Sequence, residues 1–311
     1  MEMINKVQID TTYYPGEDLY SDGIIEDRIL KLVQDNPVAD YNEVITVEKD
    51  WAVLYHLSSI RENIVEWLPI SKDDSVLEIG AGCGAITGAL CRKAKEVECI
   101  DLSKKRSMIN ATRNGEAENL TIRLGNFQDV AKNTDKKYDW ITLIGVFEYG
   151  RSYIATENPY IDFLKMVKAM LSDKGRLVIA IENRLGLKYF AGCTEDHSGQ
   201  LFDGIEGYRD GGHAETFSKK ELQDMLKVSG FENTKFYYPY PDYKLPLTIY
   251  SDEYLPKVGE LSNNRNNFDR QRLQVFDEAK VFDSVIAAGM FGELSNSFLT
   301  ISDFASYDNG K

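Results

Sequence analysis

Between Glu78 and Gly84 the chain reads Glu-Ile-Gly-Ala-Gly-Cys-Gly. Glycines at alternate positions let a backbone turn sharply and approach a ligand with no Cβ in the way. The apolar run Ser75 to Ile79 that leads into them reads as a buried strand. After Gly84, the residues Ala85, Ile86, Ala89 and Leu90 share one helical face, which places a helix N-terminus beside the turn. The spacing departs from the G-x-G-x-x-G of dinucleotide sites, whose third glycine serves helix–strand packing beside a pyrophosphate. Glu78 at the strand end would repel a pyrophosphate and welcome a cation. Val97 to Asp101 reads as the next strand and ends on a second acid. A carboxylate there accepts hydrogen bonds from ribose hydroxyls. The pair therefore suits a nucleoside that carries positive charge and an amino group.

S-adenosylmethionine (SAM) has that character: a sulfonium, an α-amino group, an adenosine and no phosphate. Glu78 to Gly84 together with Asp101 resembles motifs one and two of the class I SAM-dependent methyltransferases. That resemblance implies further roles. Asn126, after the strand Leu120 to Leu124, stands where the family hydrogen-bonds the adenine amino group, and Phe127 where an apolar neighbour packs on the ring; a plain turn is the alternative. The fourth strand, Tyr138 to Ile144, ends beside the methyl group in this family, so Gly145, Glu148 and Tyr149 are candidates to line the reaction site. The expected donor set is Glu78, Gly80, Ala81, Gly82, Gly84, Asp101, Leu102, Asn126, Phe127, Ile144 and Gly145, and the expected product is S-adenosylhomocysteine.

Methyl transfer from a sulfonium needs in-line placement, and a hydroxyl or ammonium acceptor also needs a general base. The segment from Glu182 to His197, at the carboxyl end of the fifth strand, is dense in polar and aromatic residues. It reads as a cap over the acceptor, extended by Phe202 to Tyr208 and by His213. His197 is the first choice of base, with Glu195, Asp196 or Glu182 orienting or replacing it. His213 and His56 are rivals. A structural hydrogen-bonding role is the plain alternative for each histidine. Glu195-Asp196-His197 also suggests a metal site, but consecutive residues point in different directions, and no metal is expected.

These residues need a frame to hold them. Strands alternate with helices from 75 to 230, and Phe231 to Tyr240 and Ser297 to Ile301 supply two closing strands. The pattern predicts an α/β fold: a seven-stranded doubly wound, Rossmann-like methyltransferase sheet. In the resembled fold the seventh strand is antiparallel and inserts between the fifth and sixth. Residues 1–70 read as an N-terminal helical extension and 71–311 as the SAM-binding domain, with a cap insertion at 183–217 and a helical insertion at 241–295. Met1 to Leu19 reads as a loose lead-in. Ser21-Asp22-Gly23 starts a helix carrying Ile25, Ile29, Leu32 and Val33, and Trp51 to Leu68 reads as one helix. Ser218 to Glu221 is a capping box, and Gly230 ends the helix it opens. A further helix is expected near Arg272 to Ile286.

Bulk properties narrow the acceptor. The 311 residues carry a net charge of −14, which on average repels DNA and RNA. The longest apolar run, Leu177 to Ile181, is far short of the ~20 residues of a membrane span. Met1 to Asp10 has no apolar leader, and the cysteines Cys83, Cys91, Cys99 and Cys193 form no C-x-x-C pair. Reduced thiols and a cytoplasmic location are expected. The segments His56 to Asn63, Ile181 to Tyr189, Glu195 to His197 and Tyr238 to Pro256 are similar to bacterial class I methyltransferases of surface-glycan loci, some joined to glycosyltransferase domains. That similarity implies a sugar or glycan-linked acceptor and glycosyltransferases as partners. A small metabolite, a protein side chain, or a non-catalytic SAM-binding module are the alternatives.

Overall fold

The computed structural model describes residues 2–18, 21, 23–37, 40–209, 211–262 and 272–304. The chain divides into two compact units: 1–143 with 169–176, and 144–168 with 177–311.

The strands in chain order are β1 (Glu2–Ile4), β2 (Val7–Tyr13), β3 (Ser75–Ile79), β4 (Glu96–Asp101), β5 (Leu120–Gly125), β6 (Tyr138–Ile144), β7 (Leu171–Glu182), β8 (Asn233–Tyr240), β9 (Thr248–Ser251) and β10 (Ser297–Asp303). In the first unit the sheet order is β1-β2-β5-β4-β3-β6. From β2 to β6 the pairing is parallel, with Leu77 opposite both Glu98 and Ile141. Val76, Leu77, Cys99, Ile122, Ile141 and Leu143 are fully buried, as expected of parallel strands covered on both faces. Among the helices of this unit, Thr87–Lys93 follows β3 and Lys104–Arg113 follows β4. The first of these begins two residues later than its apolar spacing implies, because the glycine turn continues through Ile86.

The lead-in is not loose. β1 and β2 form an antiparallel pair, and β2 runs parallel to β5 with Gln8 opposite Thr121. Val7 and Ile9 alternate inward and are buried, which is the period of a strand. Their pairing covers what would otherwise be the open edge of β5. The stretch Trp51 to Leu68 is also not one helix. It breaks into Trp51–Leu57, a 3-10 turn Ser59–Glu62 and Asn63–Glu66. Ser58 stands in extended backbone at the break, and its Oγ accepts the Ile60 N–H at 3.3 Å. Helix Ile24–Asp35 packs Ile29 and Val33 against Tyr41, Val53, Leu57, Cys83 and Ile109. Of its expected start signal, Asp22 lies outside the described residues.

In the second unit the order is β7-β10-β8-β9, all antiparallel. Phe298 of β10 faces Ile181 of β7, and Leu299 faces Tyr237 of β8. The seventh core strand thus lies antiparallel between the fifth and sixth. The capping box closes as expected: Ser218 and Glu221 exchange hydrogen bonds at the start of helix Lys219–Val228. The insertion contributes β9 and the helix Glu278–Ala287, which begins after Arg272 because Asp277 caps it through the N–H groups of Ala279 and Lys280. Residues 263–271 of that insertion lie outside the described residues.

Candidate active site

In the first unit, Gly80, Gly82 and Gly84 all have positive φ, at 72°, 54° and 75°. Only glycine takes such a run without strain. A Cβ on Gly84 would stand 2.3 Å from Asn110 Oδ1. Asp101, buried at the end of β4, pins this turn: its Oδ2 accepts the Gly82 N–H at 2.7 Å and its Oδ1 the Ser103 N–H at 2.9 Å. Glu78 ends β3 and is 3% exposed. Thr87 Oγ1 donates to Glu78 Oε2 at 2.6 Å, and Asn110 Nδ2 donates to Thr87 Oγ1 at 3.1 Å. Burial pushes the Glu78 carboxyl up to about 7, aided by the Asp101 charge and opposed by its hydrogen bonds from Thr87 and Cys99 and by the nearby charge of Arg61. A carboxyl raised by burial is one that a bound cation would return to its ionised form.

The remaining members of the expected donor set fall into different surroundings. Ala81 is buried and Leu102 half-buried. Asn126 caps the helix Phe127–Lys132, with its Oδ1 accepting the Gln128 N–H at 2.8 Å, so the turn-forming role is filled. Phe127 is fully buried. Ile144 and Gly145 belong to the second unit; Gly145, with φ 68°, donates its N–H to Ala180 O at 2.9 Å.

Sequence reasoning passed over one feature of the first unit. Asp18 receives the Lys104 N–H at 2.6 Å, the Lys105 N–H at 3.2 Å and the Ser103 hydroxyl at 3.0 Å, capping the helix after β4. It sits in a polar segment with no periodicity, so no pattern could single it out. His56, a rival base in the sequence reading, is buried, as are Ser58 and Arg61. Burial and the charges of Arg106, Arg61 and Arg113 hold the His56 imidazole well below its usual range, as a neutral structural ring.

In the second unit three elements converge. The end of β7 supplies Glu182, the turn Phe147–Tyr149 supplies Glu148, and the loop after helix Leu187–Phe190 supplies Glu195, Asp196 and His197. His197 Nδ1 lies 2.9 Å from Glu195 Oε1, and Nε2 lies 3.7 Å from Glu148 Oε1. Glu195 Oε2 in turn accepts the N–H groups of His197 at 2.7 Å and Ser198 at 2.6 Å. Asp196 points elsewhere, to Tyr189 Oη at 2.6 Å, Lys188 Nζ at 2.8 Å and Lys244 Nζ at 2.9 Å. Lys244 also pairs with Glu182, and Lys188 with Asp242 at 3.0 Å. The contiguous triple Glu195-Asp196-His197 therefore diverges. His213 is exposed and takes no part in the cluster.

The electrostatics change the expected role of His197. Burial by itself would lower its pKa, but hydrogen bonds to Glu148 and Glu195 and the charge of Glu182 override it and push the ring up to about 11. It stands as an imidazolium, not a ready base. Burial raises the Glu148 carboxyl, with His197 pulling the other way. Glu148 Oε2 and Glu182 Oε2 are buried with no hydrogen-bond partner. These oxygens are the proton acceptors the cluster offers. Lys188, Asp242 and Lys244, which complete it, were not foreseen; they come from two segments far apart in the chain.

A strand order of 3-2-1-4 in the first unit and 5-7-6 in the second, with acids ending the first two core strands around a glycine turn, defines a Rossmann-like α/β methyltransferase fold with a large mixed sheet. Residues 53–235, more than half of the chain, match the family described as "Methyltransferase domain", and the chain belongs to that family. Its methyl donor is SAM. The residues present fit that donor: two buried carboxylates, one of them raised by burial, stand at a glycine turn where a Cβ on Gly84 has no room. Among curated relatives, "Ribosomal RNA small subunit methyltransferase A" of Borreliella burgdorferi (strain ZS7) is 32% identical over 98 residues, 31% of this chain and 35% of the relative. The protein of the same name from Clostridium acetobutylicum is 25% identical over 232 residues, 74% of this chain and 69% of the relative. The chain thus spans about a third of the length of the first of these relatives. A chain from a Haloferax volcanii complex of a methyltransferase activator with a methyltransferase superposes with a TM-score of 0.51 at 13% identity, covering 89% of this chain and 97% of that one; it shows the fold. No helix among the described residues is long and apolar enough to cross a membrane.

Proposed function

We propose that this methyltransferase moves the SAM methyl group to an oxygen or nitrogen of a sugar or glycan-linked acceptor in bacterial surface-glycan assembly, in the cytoplasm and alongside glycosyltransferases. Glu78 takes the charged end of the donor and Asp101 its ribose hydroxyls. The acceptor group loses its proton to a carboxylate of the Glu148–Glu182 pair. With SAM bound, its lone pair would form the new bond to the methyl carbon as the S–C pair returns to sulfur, leaving S-adenosylhomocysteine. His197, held between Glu148 and Glu195, orients the pair and tunes it.

The observation that carries this reading is the buried, unpartnered Oε2 atoms of Glu148 and Glu182, which give a proton somewhere to go. The glycan acceptor is supported by the sequence similarity around 56–63, 181–189, 195–197 and 238–256. An RNA acceptor, as in the names of the curated relatives, is opposed by the net charge of −14.

Thermal shift with SAM, S-adenosylhomocysteine and NAD tests the donor; stabilisation by NAD alone would overturn it. Transfer of labelled methyl to nucleotide sugars, lipid-linked glycans and ribosomal RNA in parallel tests the acceptor. Labelling of RNA alone would overturn the glycan reading. His197→Ala is expected to lower turnover with SAM binding retained, and full activity in that variant would remove the residue from the site.

A further inference from the structure

Glu148, Glu182 and His197 each bring one donor atom to a common space, and those three atoms lie within 4.8 Å of one another. Two of the residues are 1% and 0% exposed, and each carries an oxygen with no hydrogen-bond partner. Native proteins leave few buried polar atoms so. The third donor is prepared as well. His197 turns Nε2 toward Glu148, while Nδ1 is held by Glu195, itself fixed by two backbone N–H groups. A carboxylate behind the far ring nitrogen is the arrangement that fixes tautomer and orientation in metal-bound imidazoles.

Charge points the same way. The connected cluster contains the carboxylates Glu148, Glu182, Glu195, Asp196 and Asp242 against Lys188, Lys244 and His197. Counted as ionised, the carboxylates outnumber the cations of this buried cluster, an excess that a bound cation would relieve.

We propose that Glu148, Glu182 and Nε2 of His197 bind a divalent transition-metal ion. Two carboxylate oxygens and one imidazole nitrogen suit Mn²⁺, Co²⁺ or Zn²⁺ better than Mg²⁺ or Ca²⁺, which favour all-oxygen shells. Donors at ~2.0–2.2 Å from an ion span at most about 4.4 Å, so a small closure of these side chains suffices. Lys244 occupies Glu182 Oε1 and leaves Oε2 for the ion. Three protein ligands keep a coordination position open. A role for that position rests on the methyltransferase reading and replaces the free-carboxylate base when an ion is bound: the carboxylate oxygens then serve as ligands, and an acceptor hydroxyl at the open position would be polarised by the ion instead.

The full chain, dialysed against chelator, is titrated with Co²⁺ and Zn²⁺ by calorimetry and, for Co²⁺, by visible absorption, with SAM affinity measured on the same samples. One equivalent is expected to bind and to give a ligand-field spectrum. Glu148→Gln and His197→Gln are expected to weaken binding at least tenfold, and Glu195→Gln by about 10–100-fold as an orienting partner, all with SAM affinity retained as the sign of a folded protein. No binding tighter than about 1 mM by SAM-competent protein would overturn the site. So would binding that survives both ligand substitutions, or stabilisation by methylammonium in place of the metals. Metal binding without SAM binding would uphold the site and sink the methyltransferase reading instead.

Discussion

If Glu78 takes the donor's charge as proposed, donor affinity becomes a function of pH, and the direction follows from the burial of Glu78. Its carboxyl rises from the ordinary 4.5 to about 7 in the folded protein. A group raised on folding stabilises fully below its unfolded value, and that contribution disappears as pH climbs through the folded one. Between pH 4.5 and 7 the protein without donor therefore loses about 3 kcal/mol, at ~1.4 kcal/mol for each pH interval of one. A cation seated against the carboxylate reverses the preference, because it binds the ionised form.

SAM affinity is accordingly expected to be about twofold below its plateau at pH 7, about tenfold below at pH 6, and about 100-fold below at pH 5. Near pH 6, binding should release about one proton. Calorimetry from pH 5.5 to 7.5, in two buffers of different ionisation heat, reads both quantities. Glu78→Gln, which keeps an acceptor for the Thr87 hydroxyl 2.6 Å away, should flatten the profile near the low-pH limit of the native protein. A flat profile in the native chain, or a Glu78→Gln variant with the native slope, would refute the pairing of this carboxylate with the donor's positive charge.

Asp101→Ala removes two charge-assisted hydrogen bonds, to the N–H groups of Gly82 and Ser103; at about 1.5–3 kcal/mol each, it should lower the urea midpoint and weaken SAM, and unchanged SAM affinity would remove the ribose role. Gly84→Ala puts a Cβ at φ 75° and 2.3 Å from Asn110 Oδ1. It should cost at least about 1–2 kcal/mol and loosen the Asn110–Thr87–Glu78 chain, so a variant within about 0.5 kcal/mol of native by urea unfolding would show that the turn can relax.

The central strands were legible because a parallel strand covered on both faces reads as an apolar run, as in Val76 to Ile79 and Leu177 to Ile181. β1 and β2 were not. They are short and polar on one face, and Val7 and Ile9 gain meaning only once β5 is known to need a neighbour. The break at Ser58 was hidden because the apolar spacing on either side is helical, while the serine hydroxyl satisfies the Ile60 N–H locally and lets the backbone extend. The turn through Gly80, Gly82 and Gly84 and the acids at its two strand ends could be read directly from residue type and short spacing. Phe127 could not, because whether a ring faces a ligand or the core depends on what is packed behind it.

His197 shows where reading by residue type stops. A histidine beside two acids in sequence was a reasonable base, and Glu195 does hold its Nδ1. The residue that decides its protonation is Glu148, 3.7 Å from Nε2 and on another element. Carboxylates at both nitrogens push the ring up to about 11, which favours the imidazolium over a free base at neutral pH. The acids that create this state are also what would release it. A cation that engages Glu148 and Glu182 withdraws the charges that hold the proton and favours the neutral ring with Nε2 as a donor. On the proposed metal site, the same side chains that form a closed ion-pair network would become a coordination shell, and Nε2 would have to lose its proton in passing from one to the other.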